Sequence, residues 1–599
     1  TALFTAFEIF ANHVQMTYYY LFIIFFMVVA YLVDAIRKKQ MAHFLKATGV
    51  CALGALIGLS INLSNLYHTW EYSKESMRGK SELVKQRSAN QTDSGLERDY
   101  ITQWSYGVDE TWTLLVPNTK GGASVPLAQS ETAMQKADPQ FMEVYQQLGQ
   151  YWGDQPMTSG PVYVGAFVLM LFFLGALIVK GPIKWALVAA TYLSVMLSWG
   201  HNFMGLTDFF IDYMPMYAKF RTVASILVIA EFTIPLLAML ALKELIEHPE
   251  VLQEKLTMRD KLPVTIFVSW LSVFARKKRD YILISFLMTA GIALAFALMP
   301  TAFFSDFVSQ NEMRALSQIP QEYLNPLLAN LRQMRIAVFT ADCWRSFFII
   351  LIGSAFLMAF IYRKLNAKAM VGLICVLCLV DMWQIDKRYL NDGMFVEKSV
   401  RENPIQMTAT DKQILQDKTE CGNYRVLNFA SNTFSENETS YFHKSLGGYH
   451  PAKLRRYQEM IERYIQPQMQ KAMTAIVEAG GDMTKVNGDS IYPVISMLNA
   501  KYFVMPLNGG QTVPIMNPYA YGVAWFVDKV SFVDNANQEM DLMAKIDLRH
   551  EAVADKKFAR QIGNATKQDG NSLVTITSYQ PNELTYDVNS DKGGVVVFS

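Results

Sequence analysis

The feature that most limits the fold of this chain is a series of long apolar stretches in its first two thirds. Each is close to the roughly 20 residues that a helix needs to cross the hydrocarbon core of a membrane. Charged residues make up only 18% of the chain, whereas soluble domains contain about 25%. We therefore predict a polytopic α-helical membrane protein with about eight spans, at residues 18–36, 44–63, 161–179, 184–199, 222–242, 281–299, 345–362 and 369–383.

Basic residues fall on every second connection between these stretches, at Arg37–Lys39, Lys180 with Lys184, Lys243, Arg276–Arg279 and Arg363–Lys368. Lys and Arg accumulate on the cytoplasmic side of a membrane, so we assign these connections to that side. The long segments then lie outside the cytoplasm, at residues 64–160, 200–221, 300–344 and from 384 to the end. Residues 1–11 have the composition of the end of one further span, so we expect the chain to be a piece of a longer protein.

After residue 384 the pattern changes to short alternating runs separated by turn residues, as in Tyr424–Phe429, Ala500–Met505 and Ser572–Ser578. Such alternation is typical of strands. We predict a transmembrane domain over residues 1–383 and an extracytoplasmic, β-rich α+β domain over 384–599, with a helical insertion at about 451–478. The apolar segment Pro263–Ala275 is too short to span, which favours a helix lying in the membrane interface.

The most informative polar cluster is the predicted loop His201–Arg221, between two spans. His201, Lys219 and Arg221 are its candidate binding residues. Lys219 and Arg221 stand where the next helix should begin, and a helix N-terminus with positive side chains favours phosphate. The alternative is that both side chains extend to lipid headgroups.

A second cluster comprises Glu8, Asn12, His13 and Gln15, at a predicted helix–helix junction. An ionisable group such as Glu8 within an apolar run is by default a candidate for function. The other side chains could hydrogen-bond a sugar or a phosphate. Alternatively, these polar atoms only satisfy backbone groups at a helix break.

A third cluster lies in the large loop, where Asp109 and Glu110 are flanked by Trp104, Tyr106 and Trp112. Aromatic faces pack on sugar rings, and a carboxylate can serve as a general base. This composition predicts a carbohydrate site with Asp109 and Glu110 as catalytic candidates and Trp104 and Tyr106 as binding candidates. Surface loops also hold acids and aromatic residues that have no such role.

Several classes of function have no residues to support them. The net charge of +1 leaves no electrostatic footprint for nucleic acid. Walker A, Rossmann, HExxH and GxSxG patterns are absent from the sequence, which argues against ATP-driven transport and against common hydrolases. Met and aromatic stripes inside the spans indicate packing rather than a bound metal or redox group. A divalent cation is the one cofactor left open.

The sequence resembles the bacterial YfhO family of large membrane proteins. The resemblance covers nearly the whole chain in order, at Ala11–Tyr19, Tyr100–Gly107, Glu110–Asn118, Lys219–Arg221, Asp381–Trp383, Lys387–Asn391, Ser440–His450 and Met497–Tyr502. It implies a GT-C-type architecture, that of membrane glycosyltransferases that use a polyprenyl-phosphate-linked sugar outside the cytoplasm, and a location in the bacterial cytoplasmic membrane.

The resemblance also implies partners and a missing residue. The donor would be a polyprenyl-phosphate-linked sugar with its phosphate on Lys219 and Arg221, and the acceptor a glycan or polymer of the cell surface. GT-C enzymes usually carry a catalytic acid in their first external loop, which we expect to precede Thr1. The alternative hypothesis is a non-catalytic factor for export or assembly of a surface polymer. A transporter is third, because polar residues near the middle of the spans are scarce.

Overall fold

The computed structural model describes the chain except for residues 85–89, 93–94, 250–251, 253–276, 564 and 568–571. The interfacial helix expected at 263–275 lies outside the described residues. Two compact units are present, one made of Thr1–His68 with Asn90–Phe395 and the other of Thr69–Ala89 with Val396–Ser599. The second unit therefore takes in part of the long segment between the second and third apolar stretches.

The first unit is helical. Its longer helices are α1 (Ala2–Phe10), α2 (Val14–Arg37), α3 (Met41–Ile61), α4 (Ala166–Ile178), α5 (Ile183–Ser198), α6 (Met204–Tyr213), α7 (Val228–Glu247), α8 (Asp280–Leu298, with a π-helical turn at Leu287–Gly291), α9 (Gln321–Ile361) and α10 (Ala367–Tyr389). The helix Leu63–Glu75 begins in the first unit and ends in the second. Shorter helices of the first unit are Arg98–Thr102, Glu131–Met134, Met142–Tyr145, Pro300–Phe303 and Gln310–Leu316.

Six helices in the described part of the chain are long and apolar enough to cross a membrane, and they coincide with six of the predicted spans: α2, α3, Val223–Glu247, α8, α9 and Ala367–Met394. The stretch predicted at 184–199 ends at Ser198, and the chain bends by 110° into Gly200–Tyr213. It qualifies only as a broken span or a re-entrant loop. Among the residues that the structure describes, the straight spans are therefore fewer than the eight predicted.

The stretch predicted at 161–179 is a helix of only 13 residues, α4. At 1.5 Å per residue it is about 20 Å long, too short for a hydrocarbon core of about 30 Å. Its apolar composition has another cause, since ten of its residues are buried among other helices. By contrast, α3 has one buried residue, Gly58, and its outward apolar side chains suit contact with lipid.

Glycines let helices approach α4 closely. A methyl group placed on Gly353 of α9 would lie 2.4 Å from the Phe167 ring, and one placed on Gly175 would lie 2.6 Å from the Leu237 carbonyl oxygen of α7. Small residues at such crossings let backbones pack together, which is the main source of helix association in lipid. The centre of the first unit therefore depends on the absence of a side chain at these two positions.

Ion pairs connect the long helices. Arg388 of α10 donates through both terminal nitrogens to Asp342 of α9, each at 2.7 Å. Arg345 of α9 pairs with Asp381 of α10, which also accepts from the Tyr163 hydroxyl just before α4. Buried charges need such partners, because removing one leaves the other unpaired. These pairs fix α9, α10 and the start of α4 relative to one another.

The second unit contains the strands β1 (Arg425–Asn428), β2 (Lys444–Ser445), β3 (Ala500–Pro506), β4 (Thr512–Met516), β5 (Ala524–Val527), β6 (Lys529–Val533), β7 (Glu551–Asp555), β8 (Leu573–Gln580), β9 (Glu583–Asn589) and β10 (Val595–Phe598). The largest sheet has the order β2-β1-β3-β4, with β3 and β4 antiparallel and the other pairs parallel. The other strands form three two-stranded sheets, β5 with β10, β6 with β7, and β8 with β9.

A helical insertion, continuous from Arg455 to Glu478 through a π-helical turn at Ile461–Ile465, packs on this sheet. Ile461, Ile465 and Ile476 are buried with Phe503 of β3 in one apolar cluster. The strand-rich C-terminal region and the helix expected at about 451–478 are both present.

We predict that Gly353→Ala lowers the thermal stability of the protein, because the new methyl group would overlap the Phe167 ring, and overpacking costs about 1–3 kcal/mol. Gly372→Ala in α10 is the matched control, since a methyl group there meets no atom within 4 Å and alanine favours a helix by about 1 kcal/mol. The measurement is the unfolding midpoint in detergent, followed by tryptophan fluorescence. Equal midpoints for both variants would contradict the packing described at Gly353.

Candidate functional site

An irregular segment, Trp104–Tyr106, lies between two helix ends and organises the site. The Tyr106 N–H donates to the Ser198 carbonyl at the C-terminal end of α5, at 2.8 Å, and the Trp104 carbonyl accepts from the Ala224 N–H, at 3.1 Å. Groups at helix ends have no partner within their own helix. The segment supplies those partners and is held at both of its ends.

Arg221 lies beside this segment, two residues before the membrane-length helix Val223–Glu247. Its Nη1 donates to the Tyr100 hydroxyl at 2.8 Å. The guanidinium carbon is 5.5 Å from the centre of the Tyr100 ring and 5.9 Å from that of Trp104. Aromatic faces attract a cation, so these two rings orient the Arg221 guanidinium beside the segment.

Gln15, at the start of α2, reaches the same place. Its Nε2 lies 2.7 Å from the Arg221 carbonyl oxygen and 3.1 Å from Ser225 Oγ. Two candidate clusters about 200 residues apart in sequence therefore meet, and the third meets them through Tyr100 and Trp104. We refer to Gln15, Tyr100, Trp104 and Arg221 as the arginine site.

His201 also contacts the segment Trp104–Tyr106. Its N–H donates to Ser105 Oγ at 2.9 Å, and its ring Nδ1 lies 3.2 Å from the Thr102 carbonyl oxygen. The preceding Gly200 allows this approach, since a methyl group there would lie 2.0 Å from Ser105 Oγ. His201 is exposed, so its ring is available to a ligand.

Three carboxylates surround Gly107, and we call Asp109, Glu110 and Asp154 the acidic group. A methyl group placed on Gly107 would lie 3.1 Å from an oxygen of Asp109 and equally far from one of Asp154. Asp154 also accepts from the Asn202 amide at 3.0 Å, while Asp109 pairs with Lys120 at 2.7 Å. Both aspartates are exposed enough to meet a ligand, with 48% of the Asp109 side chain accessible.

Glu110 differs from its neighbours because it is only 2% exposed. It accepts from the Gly107 N–H, the Tyr151 hydroxyl and the Gln155 amide, at 3.1, 2.8 and 3.3 Å. Burial raises the pKa of Glu110, although these hydrogen bonds act in the opposite direction. A carboxyl group enclosed in this way positions the loop and is not itself open to a substrate.

Local hydrogen bonds hold Tyr106, Glu8 and Asn12, three of the remaining predicted residues. Tyr106 is 2% exposed, and its hydroxyl lies 2.7 Å from Thr113 Oγ1, so it supports the loop from inside. Glu8 accepts from Thr17 at 3.2 Å, and the Asn12 side chain accepts from Asn65 at 3.1 Å. The exposed His13 immediately precedes α2, and Lys219 ends a short turn at Tyr217–Lys219.

Sequence reasoning missed three residues that shape the site. Arg98 pairs with Asp208 at 2.5 Å and with Asp212 at 2.6 Å, which gives the two acids of the 201–221 loop a structural role. Asp154 belongs to the acidic group, and Asn202 donates a hydrogen bond to it. Asp154 stands in the run Gly153–Pro156 without any spacing pattern, so no signal in the sequence could have found it.

The divalent cation left open above finds no support in the geometry. Among the described residues, no group of three or more His, Cys, Asp or Glu side chains is arranged to hold a metal ion. Tight divalent sites use several oxygen or nitrogen ligands around one point.

We predict that the stability of the Glu110→Gln variant increases relative to that of the wild type as the pH rises above about 4.5. The raised pKa means that the neutral form stabilises the fold fully below the ordinary value, and that this stabilisation is lost as the pH rises through the folded value. Unfolding midpoints of both proteins from pH 4 to 8 provide the measurement. The exposed Glu143→Gln is the control, and a trend equal to its own would refute the burial argument.

Comparison with known proteins gives no relative. No family model, curated protein or solved structure matches the chain. The likeness to the YfhO family thus stays an expectation from sequence, and the arginine site and the acidic group are the basis for a functional proposal.

Proposed function

We propose that this chain acts as a membrane glycosyltransferase that moves a sugar from a polyprenyl-phosphate carrier to a glycan or polymer of the cell envelope. The observation that carries the proposal is the meeting of Arg221, two aromatic rings and exposed carboxylates along one short segment, next to a helix of membrane length. A lipid-linked phosphate would reach such a position from the bilayer.

The spacing supports a single reaction centre. Trp104, at the arginine site, and Gly107, at the acidic group, are three residues apart, so their Cα atoms are at most about 11 Å apart. A sugar carried on a phosphate has its reacting carbon next to that phosphate. The arginine site and the acidic group thus lie on one short segment, and the proposal assigns the donor phosphate to the first and the acceptor hydroxyl to the second.

The reaction assigns a role to each group. Asp109 or Asp154 removes the proton from the acceptor hydroxyl, whose oxygen forms the new bond to the anomeric carbon. The bond from that carbon to the phosphate oxygen breaks, and the phosphate leaves with the electron pair. Arg221, with Lys219 nearby in sequence, stabilises the charge of that leaving group. Trp104 offers an apolar face to the sugar ring.

One observation favours the non-catalytic alternative, a factor for export or assembly of a surface polymer. Glu110 is enclosed, and both exposed aspartates already take part in protein contacts, one with Lys120 and one with Asn202. A site of this kind could bind a lipid phosphate without transferring its sugar. Binding and turnover therefore have to be measured separately.

We predict that Arg221→Ala slows release of polyprenyl phosphate by about 100-fold or more, the usual cost of losing one charge-stabilising group. The assay uses the protein in lipid nanodiscs with a labelled polyprenyl-phosphate sugar and an envelope glycan acceptor. Arg332→Ala is the matched control, because Arg332 is exposed and pairs only loosely with Asp306, at 3.7 Å.

Asp109→Asn and Asp154→Asn test which aspartate is the general base. The variant that lacks the base should lose turnover but should still bind the lipid phosphate. If wild type binds the lipid but shows no turnover, the alternative function is favoured. If Arg221→Ala and Arg332→Ala bind and react alike, the phosphate site is wrongly assigned.

A further inference from the structure

A second polar feature of the first unit lies away from the arginine site. It is an open cavity of about 790 Å³ between the loop around residues 118–159, the middle of α9 and the end of α10. Its volume is within the range of about 300–1,000 Å³ that small-molecule sites have. Parts of two segments that carried the family resemblance, Glu110–Asn118 and Lys387–Asn391, form its wall.

Most of the wall of this cavity is made of polar, uncharged groups. Five serine and threonine side chains and four amide side chains line it, among them Ser130, Thr132, Ser159, Gln129 and Asn391. Such groups can donate or accept hydrogen bonds as a ligand requires. The cavity thus resembles in chemistry a site for a molecule with many hydroxyl groups.

The charged side chains on the described wall, Asp342 and Arg388, neutralise each other. Arg388 donates to both carboxylate oxygens of Asp342, which is also contacted by the Asn118 N–H at 3.1 Å. A bidentate pair of this geometry compensates both charges. The cavity therefore lacks the net positive charge with which proteins select phosphate or carboxylate ligands.

Asn118 supplies the observation that points to a ligand. The residue is 8% exposed and lines the cavity, and its Oδ1 has no hydrogen-bond partner among the described residues. An unsatisfied buried acceptor costs folding free energy. A methyl group on Gly122 would lie 2.7 Å from this oxygen and 2.5 Å from the Tyr389 hydroxyl, so both polar atoms converge on one place.

We infer that this cavity binds an uncharged saccharide, with the Asn118 amide oxygen accepting from a sugar hydroxyl. Serine, threonine and amide side chains around it complete the contacts, and the Tyr389 hydroxyl lies close to the same sugar group. This binding does not depend on the proposed transferase activity, because it needs neither the arginine site nor turnover.

Binding is tested on the protein in lipid nanodiscs, since glycoside detergents would compete for the cavity. The probes are glucose, galactose, N-acetylglucosamine and glucuronate. Their binding is measured by saturation-transfer NMR and by calorimetric titration. We expect at least one neutral sugar to bind and glucuronate to bind more weakly. Tighter binding of glucuronate, or no binding of any neutral sugar, would overturn the inference.

Variants place the binding in the cavity. Ala341→Leu fills it from an exposed position on α9, and Asn118→Ala removes the unsatisfied acceptor. Asn118→Ala should weaken binding about fivefold, as expected for one neutral hydrogen bond, without lowering thermal stability. Ala329→Leu, exposed on the same helix but outside the cavity, is the control. Equal binding by all three variants would refute the site, even if the transferase assay succeeds.

The source of the saccharide is resolved by a second titration. An alkyl glycoside of the preferred sugar represents a lipid-carried unit, and a soluble oligosaccharide of the same sugar represents a glycan chain. Binding of either form that is weakened by Ala341→Leu supports the inference, and the tighter form identifies the source.

Discussion

Two backbone hydrogen bonds determine where the candidate site lies, because they hold Trp104–Tyr106 between the end of α5 and the start of the helix at Val223. Helix ends carry groups without intrahelical partners, and an irregular segment that satisfies two of them is as fixed as the helices themselves. For this reason Arg221 and the aromatic rings keep their places, and so do the carboxylates beside Gly107. The break between α5 and α6 is needed too, since a straight span would place His201 and Asn202 elsewhere.

Charges in the first unit are used in two different ways. Arg335, Arg345 and Arg388 have carboxylate partners on other elements, and such pairs fix the relative positions of helices because either partner alone would be a costly buried charge. Arg221 donates to a tyrosine hydroxyl and lies against two aromatic rings, which orient its guanidinium. Carboxylates thus fix helices, and aromatic rings orient the guanidinium at the candidate site.

The sequence predicted those parts of the structure that depend on periodicity. Long apolar runs gave the helices of membrane length, and alternating runs gave strands such as β1, β3 and β8. It could not predict that α4 is short, because a buried helix and a lipid-facing one have the same composition. The sequence also could not predict that Gln15 contacts Arg221 or that Glu110 is buried, since those contacts depend on how distant helix ends meet. Asp154 belongs to no sequence pattern, and its position beside Gly107 is seen only in the fold.

The arginine site and the cavity beside Asn118 differ in charge, and this difference is what sugar transfer from a phosphate carrier would require. A leaving phosphate needs a fixed positive group, whereas an acceptor glycan needs neutral hydrogen-bonding groups that do not compete for the phosphate. The short helix Asp109–Leu114 and the buried residues Leu115 and Val116 connect the two regions, and Ser346 of α9 donates to the Leu115 carbonyl. A rigid connection of this kind would keep donor and acceptor at a constant separation, so a sugar bound at Asn118 and a phosphate bound at Arg221 would be positioned by the same buried segment.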